Sequence, residues 1–392
     1  FLLSHGAFQS ANPLLEESAM IMGASQNRIL RTITMPLVLP SLGAASILVF
    51  IRAMGNFGIP AILGGNQYVL PTLIYFRVNG FWDLNGAAAI SIISVIIVII
   101  AITIQKKVIS AREYETISTA SSEHKLNKSP LVKTIAIVYC SLILLVSLAP
   151  QITIIVMSFF KQWIGFLPEG FTLENYQIIP QIASKAIRNS LFLAITASLL
   201  TALFGTLVAY ITERRRPKGG IFIDFAVMTP FVLPGIVVSV ALLTTFSSGA
   251  IAISGTFLIL MISFVIRRTP YVFRSVAASL TQLDVALEES STITGANWYY
   301  TFRKVTFPLI LPGIIAGTIL TFSTLLQELS TTILLYSART KTMPIQIYNA
   351  VADGNFGIAS SLSVLLLVTV FIVVYLMNLF LGETASSSFK LG

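Results

Sequence analysis

Residues 287–312 read LEESSTITGANWYYTFRKVTFPLILP, and residues 15–40 read LEESAMIMGASQNRILRTITMPLVLP. The two stretches align without a gap at an offset of 272 residues, with about half of the paired positions identical. Self-similarity of this kind decides architecture before any local reading. The shared residues are not mainly apolar. They are an acidic pair (Glu16 and Glu17; Glu288 and Glu289), a glycine (Gly23; Gly295), a basic residue (Arg31; Arg303) and two prolines four apart (Pro36 and Pro40; Pro308 and Pro312). Each copy starts polar, turns at its glycine and runs through the prolines into a long apolar segment. A helix lying on a membrane surface would join a helix entering the bilayer in this way. The alternative is a pair of ordinary inter-helix loops copied by duplication; such loops keep length and polarity while their residues drift, whereas here the residues coincide.

The surrounding composition supports a membrane setting. The chain is 55% hydrophobic and 10% charged, against about 25% charged in soluble domains, so lipid must serve as its solvent. Apolar runs of about 20 residues, enough for a hydrocarbon core of about 30 Å, recur along it. The net charge of +9 sits between apolar runs and forms no continuous basic face. It reads as the Lys and Arg excess of cytoplasmic loops, which excludes nucleic acid as a partner. Cys140 has no partner for a disulfide, and His5 and His124 have no ligand-like spacing, so neither a metal site nor a cofactor is expected.

Taken in order, the first unit is expected to span the membrane over residues 41–57, ended by GNFGIP, and 87–104, with an aromatic crossing on the opposite face between them. By the 272 offset the N-terminus aligns with Phe273 onward, so this unit is expected to lack the helices preceding its repeat. The domain reading is residues 1–105 as the C-terminal part of the first unit, 106–130 as a cytoplasmic linker and 131–392 as the second unit. Six spans are expected there: 131–157, 189–211, 221–246, 251–266, 313–336 and 357–381. Placing the basic loop ERRRPKGG (213–220) in the cytoplasm puts Arg267, Arg268, Arg274, Arg303 and Lys304 inside, together with both repeats. Pro40 and Pro312 are expected to open the spans that follow them. The two copies also agree further on, PTLIY (71–75) with PIQIY (344–348), in parallel orientation.

At this point the residues resemble a family. Glu17-Ser18-Ala19, Gly23 and Ile33-Thr34-Met35-Pro36 resemble the EAA signature of importer-type ABC transporter permeases, E-A-A-x3-G-x9-I-x-L-P, and Glu289-Ser290-Ser291, Gly295 and Val305-Thr306-Phe307-Pro308 match at the same spacing. The departures are serine for alanine, Met35 and Phe307 for leucine, and Val305 for isoleucine. The resemblance covers nearly the whole chain. It implies an all-α, polytopic membrane protein of two repeated permease units, type I and MetI-like, in the bacterial inner membrane. It further implies a cytoplasmic ABC ATPase dimer docked through Glu17, Gly23, Pro36, Glu289, Gly295 and Pro308, and a periplasmic or lipid-anchored substrate-binding protein. The chain has no GxxxxGK[ST] phosphate cradle, so ATP is expected to be hydrolysed by another polypeptide and this chain to be no enzyme.

The candidate translocation path is Arg52, Asn56, Gln327 and Glu328, where Asn56 and Glu328 correspond by the repeat offset. A charge at mid-bilayer costs about 2.5 to 3.5 kcal/mol and normally faces a protein interior or a watery path. The competing reading is that Arg52 and Glu328 lie near the outer interface and snorkel or pair with each other. QELSTTILLYSARTKTMPIQIYNAVADGNFG (327–357) and GNFGIPAILGG (55–65) most resemble permeases of ferric-iron importers, although no Tyr, His or carboxylate cluster is spaced like an iron site. Polyamine, phosphonate, sulfate and thiamine permeases remain open. An internally repeated secondary transporter and a passive channel are the rivals from other classes, and neither has a need for two surface docking loops.

Overall fold

The structure, a computed structural model, describes residues 5, 6, 8, 13–110, 130–164, 167–248 and 251–389; His124, Phe166 and most of the expected linker lie outside the described residues. Six described helices are long and apolar enough to cross a membrane: Gln26–Met54, Leu84–Gln105, Pro130–Met157, Ser184–Arg215, Trp298–Leu326 and Phe356–Leu376.

The repeat is visible in the order of elements. In the first copy α1 (Pro13–Ile21) leads to α2 (Gln26–Met54), then to the short α3 (Gly58–Leu63) and α4 (Leu70–Phe81), and to the long α5 (Leu84–Ser110). After α6 (Pro130–Met157) comes a hairpin of β1 (Phe160–Ile164) and β2 (Leu167–Phe171), with Phe160 opposite Phe171. Next are α7 (Glu174–Ile182), α8 (Ser184–Arg215), α9 (Gly220–Val232), α10 (Gly235–Phe246) and α11 (Phe257–Gln282). The second copy then runs as α12 (Ala286–Ile293), α13 (Trp298–Leu326), α14 (Thr332–Leu335), α15 (Met343–Ala352) and α16 (Phe356–Phe389).

Several expected boundaries are corrected. The first span begins at Gln26, not near residue 41, and Pro40 and Pro312 lie inside helices instead of opening them. Each helix passes its prolines by way of a π turn, Leu30–Thr34 in one copy and Phe302–Thr306 in the other. Met35 N–H reaches back to the Leu30 carbonyl and Phe307 N–H to that of Phe302. This extra residue per turn shifts the carbonyls just ahead of Pro36 and Pro308, where an α-turn would set ring against carbonyl. The expected 221–246 span is a pair of helices bent by 107°, broken where Leu233 and Pro234 leave helical geometry. The expected 313–336 span ends at Leu326. The expected 251–266 span is the first half of α11, about 39 Å long at 1.5 Å per residue, so Arg267 and Arg268 sit within a helix and not in a cytoplasmic loop.

The described residues of 1–54 and 95–153 form one compact unit, and those of 55–94 and 154–389 another. In the first unit the Gln105 amide donates to the Ala44 carbonyl at 3.1 Å, tying α5 to α2. Many serine and threonine hydroxyls within spans bond one turn back, as Thr103 does to Ile99 at 2.8 Å, which satisfies them without water. In the second unit α8, α11 and α13 pack around Tyr210, Val272, Phe273, Val276, Ile310 and Ile314. Small residues let these backbones close up. A Cβ on Gly317 would lie 2.8 Å from Val272 Cα and 3.2 Å from the Tyr271 carbonyl oxygen, both backbone atoms that cannot rotate away. Gly317→Val is therefore expected to destabilise the unit by about 1–3 kcal/mol. The measurement is the thermal midpoint of purified protein in detergent; an unchanged midpoint would mean that α11 and α13 have room to spare.

Candidate functional site: two elbows and a buried ion cluster

The two copies of the repeated stretch fold into the same elbow. α1 ends with Gly23 N–H on the Met20 carbonyl at 2.9 Å and Ala24 N–H on the Ala19 carbonyl at 3.0 Å. α12 ends with Gly295 N–H on Thr292 at 3.0 Å and Ala296 N–H on Ser291 at 3.2 Å. This paired pattern closes a helix with a left-handed residue, and Gly23 (φ 85°) and Gly295 (φ 90°) supply it. Asn297 then caps the start of α13 by accepting the Tyr300 N–H at 2.9 Å.

Across the bend runs one further bond in each copy. The Thr34 hydroxyl donates to Glu16 at 2.5 Å, and the Thr306 hydroxyl donates to Glu288 at 2.7 Å. The first carboxylate of each acidic pair thus latches α1 or α12 to the π turn ahead of the prolines, while Glu289 is exposed and Glu17 half-buried. The second elbow is also tied to the basic loop: Arg214 pairs with Glu288 at 3.3 Å and donates to the Leu283 carbonyl at 3.1 Å, and Trp298 Nε1 donates to the Tyr210 hydroxyl at 2.9 Å. At the tips Ile21 is 87% exposed, Met22 83% and Ile293, the counterpart of Ile21, 85%. Thr306→Val should remove about 1.5–3 kcal/mol of charge-assisted bonding from the bend. The readout is faster hydrogen exchange at the Gly295 and Ala296 amides; unaltered exchange there would show that the Thr306 hydroxyl does not hold the elbow.

The second site lies where α13 ends. Glu328, buried, accepts the Thr331 N–H and the Thr331 hydroxyl on Oε1, both at 3.0 Å. Its Oε2 takes Arg267 Nη1 at 3.0 Å and Arg268 Nη2. Arg267 also donates to the Thr331 hydroxyl, and Ser239 of α10 donates to the Thr331 carbonyl at 2.7 Å. Gly235 admits this convergence, since a Cβ there would lie 2.7 Å from Thr331 Oγ1 and 2.9 Å from Arg267 Nη1. The break between α9 and α10 thus brings the start of α10 against a cluster of two cations and one anion.

Asn56 and Gln327 bond within their own segments. Asn56 accepts the Ile59 N–H at 3.2 Å, the same i to i+3 bond that Glu328 makes to Thr331. Gln327 is exposed and donates to the Ser323 carbonyl at 3.2 Å, and Arg52 is exposed within the first unit. Sequence reading passed over Arg267 and Arg268 as loop charges; an Arg pair eleven residues into a helix-length segment was the available signal.

The repeated elbow agrees with a family match: residues 1–113 and 202–381 match the family of binding-protein-dependent transport system inner membrane components. The chain belongs to that family. These components are the ABC importer permeases that the doubled signature resembles, and this permease is a multi-pass protein of the bacterial inner membrane. It is 29% identical over 98% of its length to the ferric transport system permease protein FbpB of Actinobacillus pleuropneumoniae, of which it covers 57%. It is 30% identical over 88% of its length to the putative ferric transport system permease protein FbpB 1 of Haemophilus influenzae, of which it covers 55%. The chain thus spans about half the length of these relatives. It is also 27% identical over 55% of its length to the putative 2-aminoethylphosphonate transport system permease protein PhnV of Salmonella paratyphi A, covering 82% of it. Its fold is that of a chain from a bacterial ABC transporter that imports alginate, with a TM-score of 0.52 at 18% identity, covering 64% of this permease and 94% of that chain.

Proposed function

We propose that this chain forms the translocation path of an ATP-driven importer and that its two elbows dock a separate ATPase dimer. The observation that carries the reading is the doubled elbow. Each copy pairs a rigid bend with exposed apolar side chains at its tip, and a compact exposed apolar patch rimmed by polar groups is the mark of a protein-docking surface. A latch from Glu16 to Thr34 or Glu288 to Thr306 stiffens the bend, so a push on α1 or α12 passes into α2 or α13 without being absorbed. Glu17, Gly23, Pro36, Glu289, Gly295 and Pro308 carry this coupling. A periplasmic or lipid-anchored binding protein delivers the substrate from the other side.

The substrate of this reading is ferric iron, supported by relatives named for ferric transport that align over nearly the whole chain. A second reading, an anionic substrate such as a phosphonate, is favoured by one observation: the cluster of Arg267, Arg268 and Glu328 holds one more positive charge than negative. The test is ATP-dependent uptake by the intact permease with its ATPase and binding protein in proteoliposomes, offered labelled ferric citrate or labelled 2-aminoethylphosphonate. Iron uptake alone supports the first reading, phosphonate uptake alone selects the second, and uptake that proceeds without ATP overturns the coupling.

A further inference from the structure

Residues 55–81 and 327–352 are corresponding stretches of the two repeats, and they lie in one compact unit, where they pack on each other reciprocally. α3 of the first copy packs on α15 of the second, while α4, the counterpart of α15, packs on α14, the counterpart of α3. Leu329, which corresponds to Phe57 by the 272 offset, has its Cδ2 3.2 Å from where a Cβ on Gly58 would stand. Contacts in which one element meets a second, and the second's counterpart meets the first's, are what a two-fold axis between copies produces. Under such an axis only residues close to it can touch their own counterparts. Tyr75 and Tyr348 hold the same place in PTLIY and PIQIY, and their rings meet edge to face with centroids 6.5 Å apart. An axis midway between them passes about 3 Å from each ring centroid, half that separation. Phe57, fully buried, backs both rings, 5.0 Å from Tyr75 and 6.0 Å from Tyr348.

Parallel repeats are related by an axis along the membrane normal, and substrate passes at the interface between them. The half-buried tyrosine pair therefore stands across the line that substrate must follow. It lies beyond the end of α13, whose 29 residues carry the second elbow at their start, about 44 Å away at 1.5 Å per residue. Aromatic rings suit a contact that closes and opens. In a constriction they exclude water and ions without offering a charge to bind them, and an edge-to-face pair has no salt bridge or covalent link to hold it shut. Were the pair fixed packing between the repeats, tethering the two side chains would change nothing.

We propose that Tyr75 and Tyr348 are the gate that closes the translocation path at the end remote from the elbows, and that the two rings part to admit substrate. The proposal rests on the reading of this chain as the path of an ATP-driven importer.

The experiment uses the intact permease with its ATPase and binding protein in proteoliposomes, on a Cys140→Ser background that removes the chain's one cysteine. The Tyr75→Cys/Tyr348→Cys protein is bridged with a short bifunctional methanethiosulfonate, which a reductant cleaves. ATP-dependent uptake of labelled ferric citrate and of labelled 2-aminoethylphosphonate is followed before bridging, after it and after reduction. Bridging is expected to abolish uptake of whichever substrate the wild type carries, and reduction to restore it. A bridged protein that takes up substrate as fast as the reduced one would overturn the gate, as would two cysteines that react singly but never bridge. A wild type without ATP-dependent uptake would count against the importer reading by itself. In that case, or if the unbridged double-cysteine protein is inactive, the Tyr75→Ala/Tyr348→Ala protein decides the gate. Leak of trapped potassium above the wild-type rate, without ATP, supports it; vesicles as tight as wild type overturn it.

Discussion

Replacing Glu328 with glutamine is expected to take the carboxylate away from the buried Arg268 and the largely buried Arg267 guanidinium groups and to lower the amount of folded protein in the membrane. The carboxylate accepts from Arg267, Arg268 and Thr331 at once. An amide offers one acceptor oxygen for that work, and its nitrogen would face arginine donors. Arginine does not escape by losing its proton. Removing one partner of a buried ion pair costs about 3–5 kcal/mol, a large share of the stability of a typical domain. A second change, Arg268→Met on the Glu328→Gln background, should recover part of the loss by removing one stranded charge. Membrane abundance and the thermal midpoint in detergent measure both. Normal abundance with abolished transport would make Glu328 a path residue and not a strut. Full transport at normal abundance would remove it from either role.

Gly295→Glu is expected to separate ATP hydrolysis from transport. No atom lies within 4 Å of the position a Cβ would occupy, so crowding contributes nothing, and the cost comes from the backbone at φ 90°. A side chain in the left-handed region costs about 1–2 kcal/mol, enough to favour a turn that breaks the bonds from Gly295 to Thr292 and from Ala296 to Ser291. The tip carrying Ile293 would then point elsewhere, with α13 and its core contacts intact. ATPase activity of the assembled complex should persist while substrate moved per ATP falls steeply. Gly23→Glu should act in the same way in the first elbow. Gly295→Asn, which tolerates left-handed geometry, should retain most coupling. A Gly295→Glu protein with wild-type uptake would sink the docking role of the elbow.

The elbow was the most legible part of the chain because its determinants are local. Gly23 and Gly295 close helices a few residues long, and the prolines act on the turn just ahead of them. Even so, the sequence pointed to Glu17 and Glu289 in the acidic pairs. The residues that latch the bend are Glu16 and Glu288, whose threonine partners lie 18 positions away. The ion cluster was less legible: Arg268 and Glu328 are 60 positions apart, and an arginine in a segment of modest hydropathy reads as a loop until its partner is known. The meeting of the Tyr75 and Tyr348 rings, with centroids 6.5 Å apart, was not legible, since the two residues come from different repeats.

By itself the sequence determined the duplicated organisation, the helical membrane class and the turn chemistry of the elbows, because periodicity, apolar run length and glycine or proline backbone preference act over a few residues. Tertiary structure alone decided which charges are buried together, where the α9 and α10 break points, and which tyrosines meet. Those outcomes depend on how helices distant in sequence pack. The energy that keeps two arginines and a glutamate out of water comes from their mutual proximity, a quantity that no single segment contains.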